Sequence, residues 1–190
     1  MRVGLLGGSF NPAHAGHLHV AKVARRRLRL DQVWLMVSPG NPLKPARGMA
    51  AAGARLASAR RIADGRRIVA TDIEGRLGVR YTVDTLRALR RRFPCVAFVW
   101  LMGADNLVQL PRWRRWEDIF RQVVFAVLPR PTYNHRALAS HAAHRLARRR
   151  VPVHAASVLA GLSAPRWVFL PVAQNAASAT AIRACLNRSS

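Results

Sequence analysis

Acidic residues are scarce in this chain: eight, against 32 lysines and arginines, for a formal net charge of +24 over 190 residues. Lysine is scarce too. Lys22 and Lys44 are the only two, so arginine carries nearly all the positive charge. Such a surface steers anionic substrates and binds polyanions weakly, with steep salt dependence. The arginine runs at 25–27, 60–61, 90–92 and 148–150 are spread along helical patterns, not gathered in one stripe interleaved with aromatic rings. No specific nucleic-acid partner is expected from that spacing. Cys95 and Cys185 are too few for a disulfide framework and lack metal-type spacing. Two reduced thiols and a cytoplasmic setting are the expectation. The seven histidines form no zinc-type cluster with cysteine or carboxylate, so no dedicated protein metal site is expected. No apolar run approaches the roughly 20 residues of a membrane span. The chain opens on a strand pattern, not on a charged and then apolar leader, so neither a signal peptide nor a membrane partner is expected. The phosphate-loop pattern GxxxxGK[ST] is absent, and no GxGxxG opens the first helical segment.

Apolar residues make up 51% of the chain, enough for one domain over 1–190 with a proper core. Strand-like runs at 3–6, 32–37, 67–72, 97–102, 123–128 and 167–170 alternate with helical patterns. Those patterns cover 16–28, 50–63, 82–93, 113–120, 133–149 and 179–187. A Thr-x-Asp cap is expected at Thr82, and a cap at Ser178. The stretch 47–53 has the least regular pattern and reads as a flap beside Lys44. Strand–helix alternation with buried strands predicts an α/β fold with a doubly wound, mostly parallel, Rossmann-like sheet. Ligands in such folds sit beyond the carboxyl ends of the strands.

The richest segment, Gly7-Gly8-Ser9-Phe10-Asn11-Pro12-Ala13-His14-Ala15-Gly16-His17, lies at that place, between the first strand and the first helix. A glycine-rich turn there leaves backbone N–H groups aimed at one spot, which attracts phosphate. Two histidines three apart at the helix start share a face and can donate to a polyphosphate as it gains charge. His19 lies outside the pattern and reads as an ordinary helix residue. Lys44 offers a compact ammonium suited to a phosphate. Gly103, Asp105 and Asn106 follow a buried strand, with a glycine that admits close approach and a carboxylate that accepts from ribose or adenine donors.

The segment resembles the signature of the HxGH nucleotidyltransferase superfamily. Further segments resemble the bacterial nicotinate-nucleotide adenylyltransferase family: WLMVSPGNPLK from Trp34, YTVDTL from Tyr81, WLMGADNL from Trp100, WRRW from Trp113, RPTY from Arg130 and SATAIR from Ser178. They follow the family's order along nearly the whole chain. The resemblance implies adenylyl transfer from ATP to nicotinate mononucleotide, yielding nicotinate adenine dinucleotide and pyrophosphate in NAD biosynthesis. It implies in-line attack by the mononucleotide phosphate on the α-phosphorus, with magnesium accompanying ATP. His17, His14 and Arg183 are then the catalytic residues, His17 foremost. Gly7, Gly8, Phe10, Gly103, Asp105, Ser178 and Thr180 join them in binding ATP. Ser9 and Lys44 hold the mononucleotide phosphate, Trp113 stacks on the pyridine beside Tyr81, Thr82 and Asp84, and backbone amides near Thr82 and Arg114 take the carboxylate. Ala179 stands where the family has a serine, and Arg114 where it often has an aromatic residue. The rivals are adenylyl transfer to the amide mononucleotide or to phosphopantetheine, cytidylyl transfer to a polyol phosphate, and a nucleic-acid-binding protein prompted by the charge.

Overall fold

The computed structural model describes residues 1–40 and 48–172. Its strands are β1 (Arg2–Gly8), β2 (Gln32–Val37), β3 (Ile68–Thr71), β4 (Ala97–Gly103), β5 (Val124–Leu128) and β6 (Trp167–Phe169). Its α-helices are α1 (Ala15–Arg27), α2 (Ala52–Ile62), α3 (Ile73–Arg76), α4 (Thr82–Arg92), α5 (Ala104–Gln109), α6 (Trp116–Gln122), α7 (Asn134–Leu138) and α8 (His141–Arg145). The six strands form one parallel sheet in the order β3-β2-β1-β4-β5-β6. The direction of winding reverses between β1 and β4, the crevice where open α/β sheets bind ligands.

Alternation along the strands builds two cores. Phe98, Trp100 and Met102 of β4 face one way, into a cluster with Val83, Leu86 and Leu89 of α4, Leu107 of α5 and Ile119 and Phe120 of α6. Val99 and Leu101 face the other way, with Ala21 and Ala24 of α1, Ala59 of α2 and Leu159. Helices on both faces bury every central strand twice, which is why the strands read as continuous apolar runs.

Four local expectations are corrected. The single helix expected over 133–149 is α7, α8 and a 3-10 turn at Ala147–Arg149. Ser140 divides it, because its Oγ accepts the Ala143 N–H at 3.3 Å and starts a new helix. The helix expected from Trp113 begins at Trp116. A 3-10 turn over Leu110–Arg112, with Pro111 in its first positions, and Arg115 at φ 52° come between, so Trp113 and Trp116 do not share a helix face. Thr82 is inside α4, not its cap; Tyr81 takes that place, with no side-chain cap bond. Of the flap stretch, Gly53 is helical within α2, and Gly48 and Ala50 are tied to the Asn11 side chain at 2.9 and 3.2 Å.

The arginine runs are spread in sequence but gathered by the topology. Each helix of a parallel βαβ unit ends where the next strand begins, so the basic last turns of α1, α2 and α4 all lie at the amino-terminal edge of the sheet. The crevice lies at the opposite edge. No helix among the described residues is long and apolar enough to cross a membrane.

Candidate active site

The glycine turn leaves the carboxyl end of β1 and enters α1 through a cap made of two histidines. His14 is the N-cap, and its Nδ1 accepts the Gly16 N–H at 3.1 Å. His17, three residues on, accepts the His14 N–H through its own Nδ1 at 3.3 Å. The two rings lie 3.9 Å apart between centroids. This is a capping box with imidazoles in the usual hydroxyl and carboxylate positions. It also fixes the chemistry. With Nδ1 accepting in both rings, the proton of each neutral imidazole resides on Nε2, so each ring is an N–H donor from its outer nitrogen.

The charge state agrees. Burial, followed by the neighbouring His14 and the Arg130 guanidinium, holds His17 at a pKa of about 3. Burial and then Arg130 also lower His14. His17 is therefore neutral from pH 8 down to pH 5, and an NMR titration of its ring carbons over that range is expected to show no protonation step. The unfolded chain takes up that proton near its ordinary value of 6.5, whereas the folded one waits until about 3. His17 thus supports stability above pH 6.5, and this contribution falls as pH drops from there toward 3. A His17 midpoint near 6.5 in the folded protein would contradict the buried cap.

The turn itself is held under strain. Phe10 is buried at φ 47°, a left-handed conformation uncommon for a bulky residue. Its ring packs 4.9 Å from that of His17. A Cβ on Gly8 would lie 3.2 Å from that ring, so a larger residue would push the ring back by a few tenths of an ångström. Ser58 of α2 braces the far side, accepting the Ala13 N–H at 3.1 Å.

Arg55 of α2, unmarked by any sequence pattern, is the main brace. Its side chain is buried, and its guanidinium donates to Ser9 O at 2.9 Å, Ser38 O at 2.7 Å, Pro39 O at 3.4 Å and, through Nε, Ala50 O at 2.9 Å. One side chain thus joins the turn after β1, the turn after β2 and the start of α2. A trans peptide carries its C=O and N–H on opposite sides. Tying down Ser9 O and Pro39 O therefore points the Phe10 and Gly40 N–H groups away from Arg55.

At the end of β4, Gly103 caps α5 and Asp105 stands in the first helical turn. Arg130 crosses this corner, with Nε 3.7 Å from Asp105 Oδ1. A Cβ on Gly103 would collide with Asp105 Oδ1 and come within 2.9 Å of Arg130 Nε. Arg130 opens the RPTY segment. The structure makes it the cation shared by Asp105 and the histidine pair.

A cavity of about 440 Å³ opens between β1 and β4. Gly7, Gly8 and Ser9 line it together with Tyr81, Thr82, Trp113 and Arg114. The Arg114 guanidinium lies over the Tyr81 ring, 4.7 Å from its centroid. The Asp84 and Thr85 N–H groups both donate to Tyr81 O, and Thr82, the first residue of α4, lies on the cavity wall with its N–H outside the helical ladder, as at any helix start. Glu74 also lines the wall, accepting the Thr85 hydroxyl at 2.8 Å. Burial pushes its carboxyl up, disfavouring negative charge there. Phe10, His14, His17, Gly103 and Asp105 lie outside this cavity wall, on the side of the crevice toward α1 and α5. Lys44, Ser178, Thr180 and Arg183 lie outside the described residues.

The sequence matches the cytidylyltransferase-like family over residues 5–185. It is 62% identical over 183 residues to the probable nicotinate-nucleotide adenylyltransferase of Gluconacetobacter diazotrophicus, covering 96% of this chain and 85% of that protein. The probable nicotinate-nucleotide adenylyltransferase of Gluconobacter oxydans is also 62% identical over 183 residues, with 96% and 94% covered. The fold is that of the Plasmodium falciparum nicotinic acid mononucleotide adenylyltransferase complexed with NaAD, at a TM-score of 0.71 and 15% identity, covering 96% of this chain and 82% of that one. The chain belongs to the cytidylyltransferase-like family of nucleotidyltransferases and, within it, to the nicotinate-nucleotide adenylyltransferases.

Proposed function

We propose that this protein transfers the adenylyl group of ATP to nicotinate mononucleotide, releasing pyrophosphate, as a step of NAD biosynthesis in the cytoplasm. The observation that carries the mechanism is the tautomer-locked pair His14 and His17 beside the glycine turn. A phosphate monoester is already a competent nucleophile, so the reaction needs alignment and neutralisation of charge rather than a general base. Two neutral Nε2–H donors at the amino end of α1 provide that for the charge developing on the α-phosphate and the leaving pyrophosphate. Magnesium would accompany ATP and offset the triphosphate charge. Ser178, Thr180 and Arg183 would clamp the outer phosphates, and Ser9 and Lys44 the mononucleotide phosphate.

The cavity supports the acid over the amide. The Thr82 N–H at the start of α4 and the Arg114 guanidinium both favour a carboxylate, and Glu74 is biased toward its neutral form. Pyrophosphate release with magnesium and ATP is expected to be at least tenfold faster, as kcat/KM, with nicotinate mononucleotide than with nicotinamide mononucleotide. Equal or reversed rates would keep the chemistry and overturn the assignment of acceptor.

A further inference from the structure

We propose that the edge of the sheet opposite the active site is a docking face for the phosphate backbone of nucleic acid, bound without sequence selection. The register identifies this edge. Arg2 pairs with Ala97, Val33 with Ile68, and Phe125 with Trp167, so residues just before these strands lie along one rim. Onto that rim run the ends of α1, α2 and α4, with arginines 25–27, 60–61 and 90–92. Arginines 66 and 67 precede β3, and Arg150 bridges to Trp167 at the start of β6, bringing 148–150 with it. The Arg90 guanidinium reaches Gln122 O at 3.3 Å, which joins the α4 end to the start of β5. Apart from partly exposed Arg25, these side chains are exposed.

The rim's two carboxylates do little to offset them. Asp31 accepts the Arg2 N–H at 2.7 Å, and Asp64 accepts three backbone N–H groups at 66–68. Asp72, Glu74 and Asp105 follow strand ends, toward the crevice. Asp84 lines a groove shared with arginines 90–92, where it pairs with Arg87 at 3.6 Å. Helix dipoles favour basic last turns, but a single cation suffices for that. Six strands about 4.8 Å apart span roughly 24 Å, the reach of several successive phosphates. Guanidinium forks suit phosphate oxygens. An anionic membrane is the poorer fit, because the large exposed apolar residues among those described are only Met1, Val158 and Leu162.

The test is fluorescence anisotropy with a labelled 20-base-pair DNA duplex of arbitrary sequence, on the whole protein, at 50 and 200 mM KCl. One variant carries Arg26, Arg61, Arg91 and Arg149 changed to Gln. A second, of equal charge, carries Arg76, Arg115, Arg136 and Arg145 changed to Gln. A third changes the four rim arginines to Lys. The rim-to-Gln variant is expected to lose at least tenfold in affinity at 50 mM KCl and to flatten the salt slope by several units. The second variant and the rim-to-Lys variant are expected to stay within threefold of wild type. Equal losses in the two Gln variants would overturn the proposal. So would an equal loss in the Lys variant, displacement of duplex by saturating ATP and nicotinate mononucleotide, or tighter rim-dependent binding to phosphatidylglycerol vesicles. The result is independent of which acceptor the active site uses.

Discussion

Replacing His17 with alanine is expected to lower kcat about 10³-fold, while KM for either substrate changes far less. The Nε2–H gains strength only as charge builds on the phosphates, so its loss falls on the transition state. Alanine also removes the acceptor for the His14 N–H, a 3.3 Å bond. That part separates cleanly with a second variant. Gln at the third helical position is the ordinary partner of a capping box. His17→Gln should therefore restore the melting temperature lost in His17→Ala and leave kcat equally low. If His17→Gln recovered most of the rate, His17 would be a cap and not a catalytic donor.

The second large effect is expected at Arg55. Its guanidinium serves four carbonyls from three segments in a buried position, with no carboxylate bridged to it among the described residues. Burial lowers its pKa, and the four carbonyls favour the charged form. Arg55→Met leaves those carbonyls without their donor and removes a buried cation beside the glycine turn. A stability loss of about 3 kcal/mol or more is expected from the unsatisfied groups. The folded fraction should also lose kcat/KM at least tenfold, because the Ser9 and Pro39 peptides are no longer aimed. Arg55→Lys keeps the charge but reaches one or two carbonyls, so it should recover stability in part and activity only slightly. Urea unfolding and kinetics well below each melting midpoint separate the two. Wild-type kcat/KM in folded Arg55→Met would reduce Arg55 to a structural staple.

The readable parts of this protein are the local ones. A buried strand, a glycine turn and an amphipathic helix lie within 27 residues at the start of the chain, so the pattern that forms β1 and α1 also places His14 and His17. The strand alternation likewise disclosed the parallel sheet, because burial on two faces leaves continuous apolar runs. Arg55 was invisible because its partners lie up to 46 positions away and are backbone carbonyls, which any residue could supply. The division at Ser140 went unread because the apolar spacing continues across it, and a cap bond outweighed the period. Trp113 and Trp116 have helical spacing, but Pro111 and the left-handed Arg115 fold the chain between the helices, turning Trp113 into the cavity wall. The arginine rim was hidden for the opposite reason: runs scattered in sequence become neighbours only once the strands are ordered.

The most direct test of adenylyl transfer follows the phosphorus. The protein is incubated with magnesium, nicotinate mononucleotide and ATP labelled at either the α- or the γ-phosphate, and the products are separated. Label from the α-position should appear in nicotinate adenine dinucleotide, and label from the γ-position in pyrophosphate alone. Label from the γ-position on the mononucleotide, or free AMP with no dinucleotide, would contradict the account.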